Sequence, residues 1–363
     1  MMSEKSEPQI ERMIEAFESA LKERPDYPIG IIGLAELVAS KKQRFRAFEL
    51  CRKALAIGAG DAEVAIRARR LMSSLVRGYH VGMMNDLRRN AAWNKALTHS
   101  IRAGMRALEI GTGGGMLALM AARAGAGKVT TCERDPILAN IAREIIERNG
   151  LTDRIEVIAK PSEELLPGRD IEAPADLLFC DIFGDSLLDF GPLAALTDAR
   201  RRLTTPDAVV VPAAGAIRLA LADWRSYPIL GHVDHAAGFD ITSFANFVPA
   251  SVRVLIGDRS IFLRSDGNEA LRFHFAALSQ PALGKSEVVL TAKEDAVVNG
   301  IIHWIRLELD AETILEARPE PGAVFFSSPH FWPLAEPLSM RRGDTLRVGI
   351  AHDQKRLTIW PTE

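Results

Sequence analysis

The sequence predicts an α/β protein in three parts: a helical extension over residues 8–78, a nucleotide-binding domain with a helix-covered parallel sheet over 79–212, and an antiparallel β-barrel over 213–363. Three observations carry that division. Apolar residues fall at three- and four-residue spacing through the first part, strand-like and helix-like runs alternate through the second, and turn-punctuated strand candidates fill the third.

The first part has few β-branched runs and takes the form of short helical hairpins. Its segment AFESALKERPDYP returns loosely as AFELCRKALAIGAGDAE, and the pair Ala20-Leu21 recurs as Ala54-Leu55, 34 residues later. That is the period of a tetratricopeptide repeat. Two units seldom bury a core alone, so ordinary amphipathic helices packed on the next domain are the alternative. In the second part RALEIG, MLALMAARAG, KVTTCE, DPILANIAREIIERNG, RIEVIA, ADLLFCDIF and DARRRLTTPDAVVVP alternate in the manner of βαβ units with both sheet faces covered. In the third, SVRVLI, LRFHFAAL, SEVVLTA, GIIHWIRLELD, DTLRVGIA and RLTIW suggest an antiparallel barrel or sandwich.

Composition narrows the partners. With 25% charged residues and a formal net charge of -2, the 363-residue chain has no overall basic field for nucleic acid or an anionic membrane. Cys51, Cys132 and Cys180 are widely spaced, without CxxC or histidine pairing, which disfavours a disulfide framework or a zinc site. The amino terminus lacks the apolar core of a signal peptide, and no stretch reaches the ~20 apolar residues of a membrane span. A soluble, cytoplasmic protein is expected. His232 and His235 around Asp234 resemble metal ligands but lack a fourth partner, so a solvated turn is expected there and no metal.

The segment RALEIGTGGGMLALMAA is a strand, a glycine-rich turn and a helix, the Rossmann-like arrangement in which free N–H groups at a helix start face a ligand. Gly111, Gly113, Gly114 and Gly115 surround Thr112 in that turn. A dinucleotide is disfavoured because the third spacing of GxGxxG is absent. Glu109, one residue before the turn on the strand side, suits a cationic amino-acid ligand rather than a pyrophosphate. Glu133, followed by Arg134, ends the next strand where an acidic side chain takes two ribose hydroxyls.

Ahead of the first strand, YHVGMMNDLRRNAAW resembles the HxxMLxDxxR segment of protein arginine methyltransferases, with His80, Met83, Asp86 and Arg89 at matching spacings. ERNGLTDRIEVIAKPSEEL is similar to the same family, most nearly its type III, monomethylating branch, and GIIHWIRLELD and EPLSMRRGDTL resemble its β-barrel strands. The resemblance runs with interruptions from Tyr79 to about Val348 and leaves the helical extension outside. It implies a class I methyltransferase domain with S-adenosylmethionine as cofactor. Arg89 would then pair with the cofactor carboxylate, for which a guanidinium fork is suited. Ser162 would lie against adenine with Glu163 or Glu164 nearby. The implied cofactor set is His80, Met83, Arg89, Glu109, Gly111, Thr112, Gly113, Glu133, Arg134, Ser162 and Glu163.

An arginine acceptor stays protonated and spreads its charge over three nitrogens, so it must be oriented against the methyl donor. In the family two glutamates on the loop after the fourth strand do this; here the loop reads CDIFGDSLLDFG. Asp181 falls in the first slot, one carbon shorter. Phe190 falls in the second, with Asp189 just before it and Asp185 inside the loop. Relatives also carry a Thr-His-Trp loop whose histidine pairs with an aspartate at the position of Asp86. FFSSPHFWPLAEPL lacks that string; His330 is its best counterpart, although ungapped alignment selects Ser327. The expected catalytic set is therefore Asp181, Asp189 and His330. The expected function is methyl transfer to a guanidinium nitrogen of arginine in a protein or peptide. The loss at Phe190 keeps open free arginine, another small guanidine acceptor, or an inactive binding scaffold. Relatives dimerise through a helical arm, for which the stretch from Trp224 to Pro249 is short. A homodimer would use that short arm or the amino-terminal helices, unless the helices cover the site within one chain.

Overall fold

The computed structural model describes residues 7–227, 233–255, 257–279, 283–320 and 326–362. Four helices come first: α1 (Glu7–Glu23), α2 (Pro28–Ser40), α3 (Arg44–Ile57) and α4 (Ala62–Leu75). Proline in the first turn pre-sets φ for α2, and Asp61 caps α4 by accepting from Glu63 N at 2.9 Å and Val64 N at 3.2 Å. α2 packs against α1, α3 and α4, which accounts for its burying Ile31, Ile32, Leu34, Ala35 and Val38 with no polar face. The recurring pairs Ala20-Leu21 and Ala54-Leu55 fall in α1 and α3, the leading helices of successive hairpins.

These helices do not form a separate body. Ile14, Leu34, Val38, Ala47, Phe48 and Leu75 share one apolar cluster with Ile137, which belongs to a helix of the nucleotide-binding domain. Arg44 donates to Leu75 O at 2.9 Å through Nε and to Asp135 Oδ2 at 2.7 Å through Nη2, and Arg52 pairs with Glu144. The packing on the next domain that belongs to the alternative reading is present.

After α5 (Tyr79–Asn85) and α6 (Leu87–Ser100), the chain runs β1 (Arg106–Ile110), α7 (Met116–Arg123), β2 (Lys128–Cys132), α8 (Pro136–Arg148), β3 (Ile155–Ile158), β4 (Ala175–Cys180), α9 (Pro192–Arg202) and β5 (Thr204–Val211). The five strands are parallel in the order β3-β2-β1-β4-β5. The order reverses between β1 and β4, which opens a crevice beyond their carboxyl ends.

The remaining strands are β6 (Ala214–Trp224), β7 (His235–Ala236), β8 (Phe239–Asp240), β9 (Val252–Arg253), β10 (Ile261–Leu263), β11 (Asn268–His274), β12 (Gly284–Thr291), β13 (Ala296–Glu308), β14 (Ile314–Glu316), β15 (His330–Met340), β16 (Thr345–His352) and β17 (Leu357–Pro361). They form a seven-stranded antiparallel sheet, order β10-β6-β13-β15-β9 with β11 on β6 and β14 on β13, and a three-stranded sheet, order β12-β16-β17. One long strand, β6, is absent from the sequence candidates, and β15 is present there only through its second half, in EPLSMRRGDTL. β6 is buried on both faces and rich in Ala and Leu, so the period-2 signal is absent and its composition favours a helix. SVRVLI, expected as a strand, supplies only the two residues of β9.

The stretch between β6 and β9 holds the β7–β8 ribbon and a 3₁₀ turn, Thr242–Phe247, with Phe239, Phe244 and Phe247 exposed. His232 lies outside the described residues, and His235 pairs with Asp240 across the ribbon. Among the described residues no helix is long and apolar enough to cross a membrane, and all three cysteines are buried free thiols.

Candidate active site

A cavity of about 1190 Å³ occupies the crevice at the carboxyl ends of β1, β2 and β4. Its first half is built on the glycine turn. Gly111 has φ +85°, and a Cβ there would stand 2.3 Å from Ile182 Cγ2, so the turn requires glycine. Gly111 N and Thr112 N both donate to Cys132 O, tying the turn to the end of β2. Gly113 N donates to Glu133 Oε2 at 3.0 Å, and Asp135 N donates to Glu133 Oε1 at 2.9 Å. Asp135 also caps α8 and accepts from Arg44, so the helical extension braces the loop that carries Glu133.

Glu109 is 1% exposed and accepts from Thr131 Oγ1 at 2.6 Å; Thr131 Oγ1 in turn meets Thr112 Oγ1 at 2.6 Å. Burial pushes its carboxyl up to about 8, with the Thr131 hydrogen bond opposing. Neither Glu109 nor Glu133 has an ion-pair partner among the described residues, although both line the cavity. A buried carboxyl of this kind fits a ligand that brings its own ammonium group, and the Glu133 oxygens fit ribose hydroxyls. Ser162 is buried in the 3₁₀ turn Ser162–Glu164 and lines the same space.

Arg89 projects from α6. Asp86 caps that helix, accepting from Arg89 N at 2.9 Å. The buried Arg89 guanidinium donates from Nε to Asp181 Oδ2 at 2.6 Å, pairs with the same carboxylate through Nη2, and donates from Nη1 to Asn90 Oδ1 at 2.9 Å. The residue expected to meet the cofactor and the residue expected to meet the acceptor are here partners of each other.

The second half of the cavity is built on the loop after β4. Asp189 Oδ2 accepts from Ser186 N at 3.1 Å and Ser186 Oγ at 2.8 Å. Phe190, at φ +69°, offers no acceptor atoms; its ring lies 6.4 Å from that of Tyr79, with the Arg77 guanidinium 5.0 Å from its centroid. Asp185 ties this loop to the β-domain. It accepts from Arg253 Nε at 3.0 Å and also from Arg253 Nη2, from Ser328 N at 2.8 Å, from Ser327 Oγ at 3.1 Å and from His330 Nε2 at 3.3 Å. Burial alone would raise its carboxyl, but the donors His330, Arg253 and Ser328 outweigh it and hold the group well below the usual range.

His303 stands behind His330, ring centroids 5.3 Å apart. Trp332 Nε1 donates to His303 Nδ1 at 2.8 Å, which leaves the proton on Nε2, facing Asp185 O at 3.3 Å. Complete burial, with His330 alongside, pulls His303 down to about 3.

His80, Met83, Arg89, Glu109, Gly111, Thr112, Gly113, Glu133, Arg134, Ser162, Asp181 and Asp189 all line this one cavity. Glu163 and His330 do not. Glu163 is exposed, while the neighbouring Ser162 is buried, lines the cavity and donates from Oγ to Glu163 Oε2 at 3.4 Å. His330 touches the site through Asp185 rather than through Asp86, whose side chain is committed to capping α6. Ser327, the alternative counterpart of His330, does line the cavity and shares the same aspartate. Sequence reasoning passed over Arg253 and His303 altogether. They reach the site only through pairing of β9 with β15 and of β13 with β15, which no local motif announces.

A profile described as ribosomal protein L11 methyltransferase (PrmA) matches residues 94–209. The chain is 35% identical over 294 residues to an "Arginine N(omega)-methyltransferase" of Streptomyces achromogenes subsp. streptozoticus, covering 77% of this chain and 78% of that one. It is 37% identical over 164 residues to "Protein arginine N-methyltransferase 7" of Drosophila grimshawi, covering 42% of this chain but only 23% of that relative. Among solved structures, the Trypanosoma brucei PRMT1 enzyme-prozyme heterotetrameric complex with AdoHcy superposes with a TM-score of 0.67 at 23% identity, over 76% of this chain and 87% of that chain. That likeness shows the fold.

Proposed function

The chain belongs to the protein arginine methyltransferase family, and from that premise we propose that it transfers a methyl group from S-adenosylmethionine to a guanidino nitrogen of arginine. The name of the Streptomyces relative, aligned along most of both chains, supports arginine as the acceptor. The observation that carries the reading is the Arg89–Asp181 pair. It sets a carboxylate-binding cation and a guanidinium-binding carboxylate side by side in one cavity.

When bound, the cofactor supplies an electrophilic methyl carbon on a sulfonium sulfur. Arg89 would hold its carboxylate, Glu109 its ammonium and Glu133 its ribose, and Ser162 would lie against the base. Arg89 turned to that carboxylate leaves Asp181 free to accept from the acceptor guanidinium and to offset its charge as a nitrogen is aligned for attack. Asp189, three residues before α9 begins at Pro192, is held by Ser186, lines the same cavity and offers a second carboxylate where Phe190 cannot. His330 acts through Asp185, positioning the loop rather than touching the acceptor.

Incubation with methyl-labelled S-adenosylmethionine and either free L-arginine or arginine peptides tests the proposal. Label recovered as Nω-methylarginine supports it; cofactor binding without label in any guanidine sinks it.

A further inference from the structure

Resting on that reading of the cavity, the geometry points to Arg253 as the residue that binds the α-carboxylate of the acceptor, which makes the substrate a free guanidino amino acid rather than an arginine within a polypeptide. Arg253 stands on β9 and lines the same cavity as Asp181 and Asp189. Its side chain is 59% exposed, yet Asp185 grips it through Nε and Nη2. Asp185 is itself fixed by Ser327, Ser328 and His330. The outcome is a guanidinium whose direction is set in advance and whose Nη1 has no partner among the described residues. A planar fork with an open edge is the protein group best matched to a carboxylate, and preorganisation lowers the entropic cost of using it.

The cavity's other arginines and its lysine come from the helical and parallel-sheet parts of the chain. Arg89 is held by Asp181, Arg44 by Asp135 and Lys160 by Asp170, among the cofactor residues. Arg77 lies over the Phe190 ring from the helical side, whereas Arg253 is the arginine that the β-domain contributes to the cavity among the described residues, held by Asp185 of the acceptor loop. Asp181 and Asp185 are four positions apart on that loop, so their Cα atoms lie within about 14 Å of each other. A single arginine carries its guanidinium and its carboxylate at opposite ends, which suits it to one aspartate at one end and to the arginine held by the other aspartate at the far end. An arginine inside a polypeptide presents a neutral amide at that end and has no use for the cation.

The test compares L-arginine, agmatine, which lacks the carboxylate, and an arginine peptide blocked at both ends, using the full chain. Turnover of each is measured, as is calorimetric binding to protein loaded with S-adenosylhomocysteine. L-Arginine is expected to bind and react about tenfold or more better than agmatine or the peptide. Arg253→Ala should raise the L-arginine KM by a similar factor, change that of agmatine much less and leave S-adenosylhomocysteine binding as it was, and Arg253→Lys should recover part of the loss. Agmatine matching L-arginine in the unaltered protein overturns the inference, as does an Arg253→Ala effect shared equally by both, which would mark Arg253 as a brace for the loop. Turnover of the peptide without turnover of L-arginine overturns this inference but not the proposed methyl transfer; no turnover of any guanidine overturns both.

Discussion

The two halves of the cavity are stabilised in opposite ways. On the cofactor side the buried carboxyls Glu109 and Glu133 have no ion-pair partner among the described residues, and Arg89 is paired with a residue of the other half. On the acceptor side Asp185 is saturated by Arg253, Ser327, Ser328 and His330, with His303 and Trp332 completing the support behind. The contrast teaches a division of labour. The cofactor half keeps its charged groups available to a ligand, whereas the acceptor half uses most of its charged groups to hold a loop that offers few of them.

The largest effect that would break this division is at Asp181. Asp181→Asn should lower methyl transfer by about 10²-fold or more while cofactor affinity holds or rises, because Arg89 loses its competing partner. A parallel fall of affinity and rate, measured by calorimetry and turnover, would place Asp181 in the cofactor half instead. Arg89→Ala should weaken cofactor binding by about 10- to 100-fold. It should also lower the stability of the ligand-free protein by about 3 kcal/mol in urea titration, since it leaves the Asp181 carboxylate buried and unpaired.

The halves should also answer pH in opposite directions. Glu109, raised from 4.5 to about 8, favours the fold when protonated. Its contribution is full below pH 4.5 and is lost as pH rises through 8, on the order of a few kcal/mol. Glu109→Gln should flatten that alkaline decline in the ligand-free protein. His303, lowered from 6.5 to about 3, favours the fold when neutral, so its contribution is full above pH 6.5 and is lost as pH falls towards 3. His303→Gln should flatten the acid decline and leave the alkaline one as it was, with thermal melts across pH separating the two. The smallest effect is at the rim. Phe190→Ala removes the ring beneath Arg77 and should cost about 0.5–1 kcal/mol with cofactor affinity unchanged.

Legibility in the sequence follows the same division. The glycine turn, Glu109, Glu133 and Arg89 lie within short segments whose spacing carries their geometry, and all of them meet in one cavity. The parallel sheet was legible for the same reason, since each βαβ unit is local. The acceptor half depends on contacts such as Asp185 with Arg253, 68 positions apart, and His330 with Asp185, 145 apart. Residue identity alone could not choose between Asp86 and Asp185 as the partner of His330. β6 was missed because burial on both faces erases the alternation that identifies a strand.

Partner exchange at Arg89 is the centre of this account, and a crystal structure with S-adenosylhomocysteine bound tests it most directly. The account predicts Arg89 on the ligand carboxylate, with Asp181 released towards the acceptor space. An Arg89–Asp181 pair still intact beside a fully bound ligand would contradict it.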